Sequence, residues 1–152
     1  EGLGAPNTAN LPPSDNTGLG TRARHDLSVI RTGQDTYNPG YAFCVMEAKN
    51  GEMWVGTWGA GVSRFDGLRW HNLTTQEGLA SNIVFSLIQD QDGVFWFGTQ
   101  KGLSRYDGHA WEQYNREDGL YDQSVYALAS TDDGSVWVGT RSGVVRMAKK
   151  TH

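Results

Sequence analysis

The side chains best suited to nucleophilic or metal chemistry are four histidines, His25, His71, His109 and His152, and one cysteine, Cys44. The histidines are dispersed, and none stands at metal-ligand spacing from another. No Gly-x-Ser-x-Gly elbow and no Cys/His pair is present. Cys44 lies in the apolar run Ala42-Phe43-Cys44-Val45-Met46 and reads as a small buried hydrophobe; alone, it can form no internal disulfide. Asp90-Gln91-Asp92-Gly93 starts like a calcium loop but lacks the remaining ligands and the distal Glu, so it reads as a hairpin turn. Asn72-Leu73-Thr74 is a formal glycosylation sequon. The residues therefore predict no catalytic group, no metal and no cofactor. What remains is recognition, and the candidates are Trp58, Gln100, Lys101, Arg141, Asn82 and Tyr121: an aromatic stacking surface, amides and two cations. Such a set suits a small polar or sugar-like ligand, or a peptide.

Whether these residues can meet depends on the frame that carries them. Three segments share one phrase: Gly51-Glu52-Met53-Trp54-Val55-Gly56-Thr57, Gly93-Val94-Phe95-Trp96-Phe97-Gly98-Thr99 and Gly134-Ser135-Val136-Trp137-Val138-Gly139-Thr140. The Trp residues are 42 and 41 positions apart, a period that marks a repeat architecture. A second phrase follows each: Gly61-Val62-Ser63-Arg64-Phe65-Asp66-Gly67, Gly102-Leu103-Ser104-Arg105-Tyr106-Asp107-Gly108 and a shortened Gly143-Val144-Val145-Arg146-Met147. A third occurs twice, as Glu77-Gly78-Leu79 and Asp118-Gly119-Leu120. Each period reads as four short strands. The first alternates, as in Val84-Phe85-Ser86-Leu87-Ile88. Asn50-Gly51, Asp92-Gly93 and Asp133-Gly134 turn it into the strand that carries the Trp. The third carries the Arg and ends at Asp66-Gly67 or Asp107-Gly108; the fourth is Arg69 to Leu73 or Ala110 to Tyr114. Four antiparallel strands every 41 or 42 residues make a β-propeller blade, so the fold class is all-β.

W-x-G-T, then G-[VL]-S-R-[FY]-D-G, then an aromatic strand, then [ED]-G-L resembles the two-component regulator propeller repeats, over about residues 27 to 147. The resemblance implies an extracytoplasmic sensing module, periplasmic or secreted, of the kind joined to a membrane kinase. WD40 repeats share the period, but their Gly-His and Trp-Asp signatures are absent.

Residues 1–26, small, polar and loop-forming, read as a flexible arm. The blades are expected over 41–75, 83–116 and 125–148, the last lacking its outer strand. Leu27-Ser28-Val29-Ile30-Arg31 lies about 15 residues ahead of Phe43, as Trp70 and Trp111 lie 15 ahead of Phe85 and Tyr126. Residues 27–32 thus read as an outer strand without a blade of its own. Three blades fall short of the roughly four to eight in a closed ring. Two copies would give six, each N-terminal strand completing the partner's last blade in a homodimer. A piece of a longer propeller is the other possibility.

Residues that recur in every blade are scaffold. Trp54, Trp96 and Trp137 are expected between blades, and Arg64, Arg105 and Arg146 beside carboxylates such as Asp66 and Asp107 or beside backbone carbonyls. Blade-specific residues are the better site candidates. They fall in the loops Trp58-Gly59-Ala60, Gln100-Lys101, Arg141-Ser142, Tyr37-Asn38, Ala80-Ser81-Asn82 and Tyr121-Asp122-Gln123, expected to share one rim around the channel. The net charge of -4 argues against nucleic acid as a partner, and no apolar run approaches the roughly 18 residues of a membrane span. The reading is a non-catalytic ligand-binding or sensory module, with a protein-interaction scaffold or a propeller lyase or hydrolase as alternatives.

Overall fold

The computed structural model describes residues 41–149. The arm, the strand expected at 27–32, the loop Tyr37-Asn38, His25 and His152 lie outside the described residues. Among the described residues, eleven strands form three antiparallel sheets. Blade 1 comprises β1 (Ala42–Glu47), β2 (Met53–Thr57), β3 (Val62–Phe65) and β4 (Trp70–Leu73). Blade 2 comprises β5 (Val84–Gln89), β6 (Phe95–Thr99), β7 (Gly102–Tyr106) and β8 (Trp111–Tyr114). Blade 3 has β9 (Val125–Ser130), β10 (Val136–Thr140) and β11 (Gly143–Met147). Each sheet follows chain order, and the inner strands β1, β5 and β9 lie side by side.

Local chemistry explains the meander. In the first turn of each blade a glycine takes positive φ, 85° at Gly51, 83° at Gly93 and 80° at Gly134. The amide of Gly51 donates to the carbonyl of Ala48, and Ala48 N–H donates to Glu52 O. This is a tight turn followed by one left-handed residue. The Asn or Asp before each glycine keeps negative φ, since no non-glycine residue has positive φ among the described residues. In two of the three turns its side chain accepts from the backbone ahead, Asn50 from Glu52 and Asp133 from Ser135, whereas Asp92 pairs with Lys149 and Asp90 accepts in its place. The acidic residue of the third phrase closes the linker between blades. Glu77 Oε2 accepts from Thr74 N at 2.6 Å and Thr74 Oγ1 at 2.9 Å, and Asn115 with Asp118 forms the equivalent capping box. Leu79 and Leu120, next along, are buried between blades.

The two joints are built alike. Paired residues of an antiparallel sheet share a face, so Met46, Trp54 and Arg64 of blade 1 face blade 2. One core gathers Trp54, Val62, Leu79, Val84, Leu87, Phe95 and Phe97. Their counterparts Trp96, Leu103, Leu120, Val125, Val136 and Val138 form the other, with Leu128 packed against it. Trp54 and Trp96 are 2% and 7% exposed, as expected for inter-blade core. Trp137 corrects that expectation. It is 42% exposed, because among the described residues no further blade covers its face.

The arginines pair with carboxylates as expected, but with other ones than Asp66 and Asp107. Arg64 pairs with Glu52 at 3.5 Å, Arg105 with Glu112 at 3.4 Å and Arg146 with Asp133 at 2.7 Å. Asp66 and Asp107 are committed to their own turns, accepting from the amides two and three residues ahead.

Candidate ligand site at the channel mouth

The loops between the second and third strands are anchored by one device. Thr57, Thr99 and Thr140 each donate Oγ1–H to the carbonyl of Gly61, Gly102 and Gly143, and all three hydroxyls are buried or half-buried. The residue after each Thr is Trp58, Gln100 or Arg141, and each is held at the entrance to an inner strand. Trp58 N–H donates to Tyr41 O, Gln100 N–H to Ile83 O and Arg141 N–H to Ser124 O. Trp58, Gln100 and Arg141 therefore occupy equivalent places on one rim. Asn82 joins them through its backbone, its carbonyl accepting from Gly59 and Gly61, while its side chain accepts from Thr75 N. Tyr121 is exposed and lies against Gly143. Lys101 is exposed at the loop tip.

Sequence reasoning missed the wall below this rim. The register slips between Ala42 and Cys44 and again between Val84 and Ser86. Each bulge turns its residue, Phe43 or Phe85, out of the blade face. Phe43 lies 5.4 Å from Phe85, and Phe85 lies 5.0 Å from Tyr126, between ring centroids. Trp58 completes the group, 5.8 Å from Phe43 and 6.5 Å from Phe85. Four aromatic rings from three blades thus form one continuous surface, with Phe43, Trp58 and Tyr126 exposed. The signal in the sequence was an aromatic residue at one position of all three inner strands.

Arg141 has a counter-charge at the rim. Asp122 Oδ2 accepts from Nη2 of Arg141 at 3.0 Å, from its Nε at 3.2 Å and from Ser142 Oγ at 3.2 Å. The Ser124 amide first, and then Arg141, hold the Asp122 carboxyl below the ordinary range. Arg141 is thus pre-oriented by a carboxylate, and an incoming anion would share its donors with Asp122. Among the described residues no three His, Cys, Asp or Glu side chains converge as a metal site, and no helix is long and apolar enough to cross a membrane.

The family model described as "Two component regulator propeller" matches residues 36–59, 78–101 and 122–142, one match in each blade. No curated protein matches the chain in sequence. Among solved structures, the extracellular domain of a hybrid two component system from B. thetaiotaomicron superposes with a TM-score of 0.61 at 17% identity, covering 77% of this chain and 18% of that one. A streptogramin B lyase gives 0.54 at 13% identity, over 72% of this chain and 41% of the lyase. A virginiamycin B lyase from Staphylococcus aureus, crystallised with quinupristin, gives 0.53 at 16% identity, over 80% and 44%. The chain spans less than half the length of each, and at these identities the likeness is one of fold. The repeat phrases, the phased blades and the three matches lead to one assignment: the three blades are two-component regulator propeller repeats.

Proposed function

We propose that this chain is a non-catalytic ligand-binding module of an extracytoplasmic sensor, and that it takes a small polar ligand or peptide at the channel mouth. The observation that carries this reading is the aromatic surface of Phe43, Trp58, Phe85 and Tyr126 lying open beneath a rim of amides and cations. Aromatic faces supply large contact area at small entropic cost. Asn82, Gln100, Lys101, Tyr121 and Arg141 supply the polar contacts that orient a ligand. The two-component regulator propeller repeats of the three blades support a sensory role and a periplasmic or secreted setting.

A thermal-shift screen of mono- and oligosaccharides, amino acids and short peptides tests the reading, run on wild type and on Trp58→Ala in parallel. Trp58 is 43% exposed, so its loss should leave the fold intact while the shift from a true ligand disappears. Shifts that survive Trp58→Ala unchanged would place the site elsewhere. Conversion of a hit to a new product would favour the lyase reading. No shift from any compound would favour an interaction scaffold.

A further inference from the structure

The outer edge of blade 3 differs from the other two. β3 and β7 are covered by β4 and β8, whereas β11 has no strand on its outer side among the described residues. Three observations mark this edge as a place for another strand. Trp111 of β8 packs on Tyr106 and Phe97, with ring centroids 4.5 and 5.5 Å apart. It also lies so close to Gly78 that a Cβ there would meet Trp111 Cγ at 2.6 Å. One repeat later, a Cβ on Gly119 would meet nothing within 4 Å. The joint between blades 2 and 3 also holds a cavity of about 350 Å³, walled by Trp96, Arg105, Tyr114, Val136 and Met147 among others. On the opposite face, Val144 is 59% exposed beside Trp137, where Val62 and Leu103 are wholly buried.

An unpaired strand edge between uncovered apolar side chains is a template for strand addition. We propose that the segment Leu27 to Arg31 of a second copy of this chain pairs with β11, and that the reciprocal exchange closes two three-bladed arcs into one six-bladed ring. The occupant follows from the repeat. Phe65 pairs with Trp70 and Tyr106 with Trp111. Carried through the 15-residue spacing, that register sets Ser28 opposite Met147, Val29 opposite Arg146 and Ile30 opposite Val145. Ile30 then covers the joint with blade 2, while Val29 lies on the face of Trp137. Ser28 stands where the other blades have an indole, so part of the cavity stays open. The arc also carries both halves of a joint. Trp137 and Val144 repeat the face that blade 1 offers to blade 2, and exposed Val45 of blade 1 repeats buried Leu87. A head-to-tail contact that closes gives a ring rather than a filament. This inference rests on the blades and not on ligand binding, so either can fail without the other.

The full chain is tested by light scattering at micromolar concentration, and then as Ser28→Cys with Met147→Cys under mild oxidation. Burial pushes the Cys44 thiol up to about 11, which keeps it out of exchange. The expected results are a mass twice the 16.7 kDa of one chain and a disulfide joining two chains on a non-reducing gel. Val29→Asp should weaken association at least tenfold with the circular dichroism of the blades unchanged. A single-chain mass, or a mass above two chains, overturns the proposal. So does a disulfide closed within one chain, or a dimer indifferent to Val29→Asp.

Discussion

Trp54 and Phe95 stack across the joint between blades 1 and 2, with ring centroids 4.1 Å apart and planes 23° from parallel. The pair ties the second strand of one blade to the second strand of the next, and Phe97 adds a further ring 6.0 Å from Trp54. At the next joint Trp96 meets Val136 and Val138 in the same places. Truncating either indole empties the centre of a joint. Trp54→Ala and Trp96→Ala should each cost about 3–5 kcal/mol, the range for deleting a buried Trp. Urea denaturation followed by fluorescence of the remaining tryptophans measures it. A loss below about 1 kcal/mol would mean that the joints do not carry the stability.

Close packing of inner strands gives a sharper contrast. A Cβ on Gly98 would lie 2.8 Å from Val125 Cγ1 and 2.9 Å from Val125 O, with Ser86 Oγ also in the way. On Gly139, one repeat on, it would meet Ala127 Cβ at 3.3 Å as its nearest neighbour. Neither glycine has a positive φ, so sterics alone separate them. Gly98→Ala should destabilise by about 1–3 kcal/mol, the cost of overpacking, and Gly139→Ala by clearly less. Equal losses in thermal unfolding would sink this account.

The blades were legible because their determinants are local and repeated. A left-handed glycine, a carboxylate closing a linker and a Trp between sheets each leave a residue type at a fixed period. The partners of Arg64, Arg105 and Arg146 were not legible, since pairing across strands depends on register. Reading forward along the chain pointed to Asp66 and Asp107, whereas the sheets bring up Glu52, Glu112 and Asp133. Trp137 escaped for a related reason: its exposure depends on what lies beyond its blade, which no repeat pattern encodes. The aromatic wall stayed hidden because a bulge is needed to turn Phe43 and Phe85 out of the faces that alternation would give them.

Asp66 makes stability depend on acid. Its carboxylate bonds His71 Nε2 at 2.7 Å and accepts from the amides of Leu68 and Arg69, both at 2.8 Å. The His71 bond first, then the two amides, hold its carboxyl far below the ordinary carboxylate range. A group depressed in the folded state stabilises above its unfolded value of about 3.9. That contribution is lost as the pH falls through the lower folded-state value. Asp133, held low first by Thr131 and then by the Ser135 amide, acts in the same direction. Denaturation midpoints should hold level from pH 7 to 5 and fall below pH 4. In Asp66→Asn the fall should be shallower. An identical acid limb in the variant would remove Asp66 as a cause.

Trp54 and Trp96 share a pose but not a partner. Trp96 Nε1 donates to Asp90 Oδ2 at 2.8 Å, while Asp90 Oδ1 accepts from the amides of Asp92 and Val94. Trp54 Nε1 is buried without a partner, because Ala48 stands in blade 1 where Asp90 stands in blade 2. The backbone at the two sites is alike: Ala48 N–H donates to Glu52 O at 2.8 Å and Asp90 N–H to Val94 O at 2.9 Å. A carboxylate at position 48 would therefore start from the geometry that already reaches an indole one blade away. Ala48→Asp should satisfy Trp54 Nε1 and stabilise the chain by about 0.5–1.5 kcal/mol, the usual net worth of such a bond. Asp90→Ala should cost more than that, since it strands Trp96 Nε1 and two turn amides together. The double variant Ala48→Asp with Trp54→Phe separates the bond from any effect of charge at the turn. If the gain survives in that background, the indole N–H is not its source.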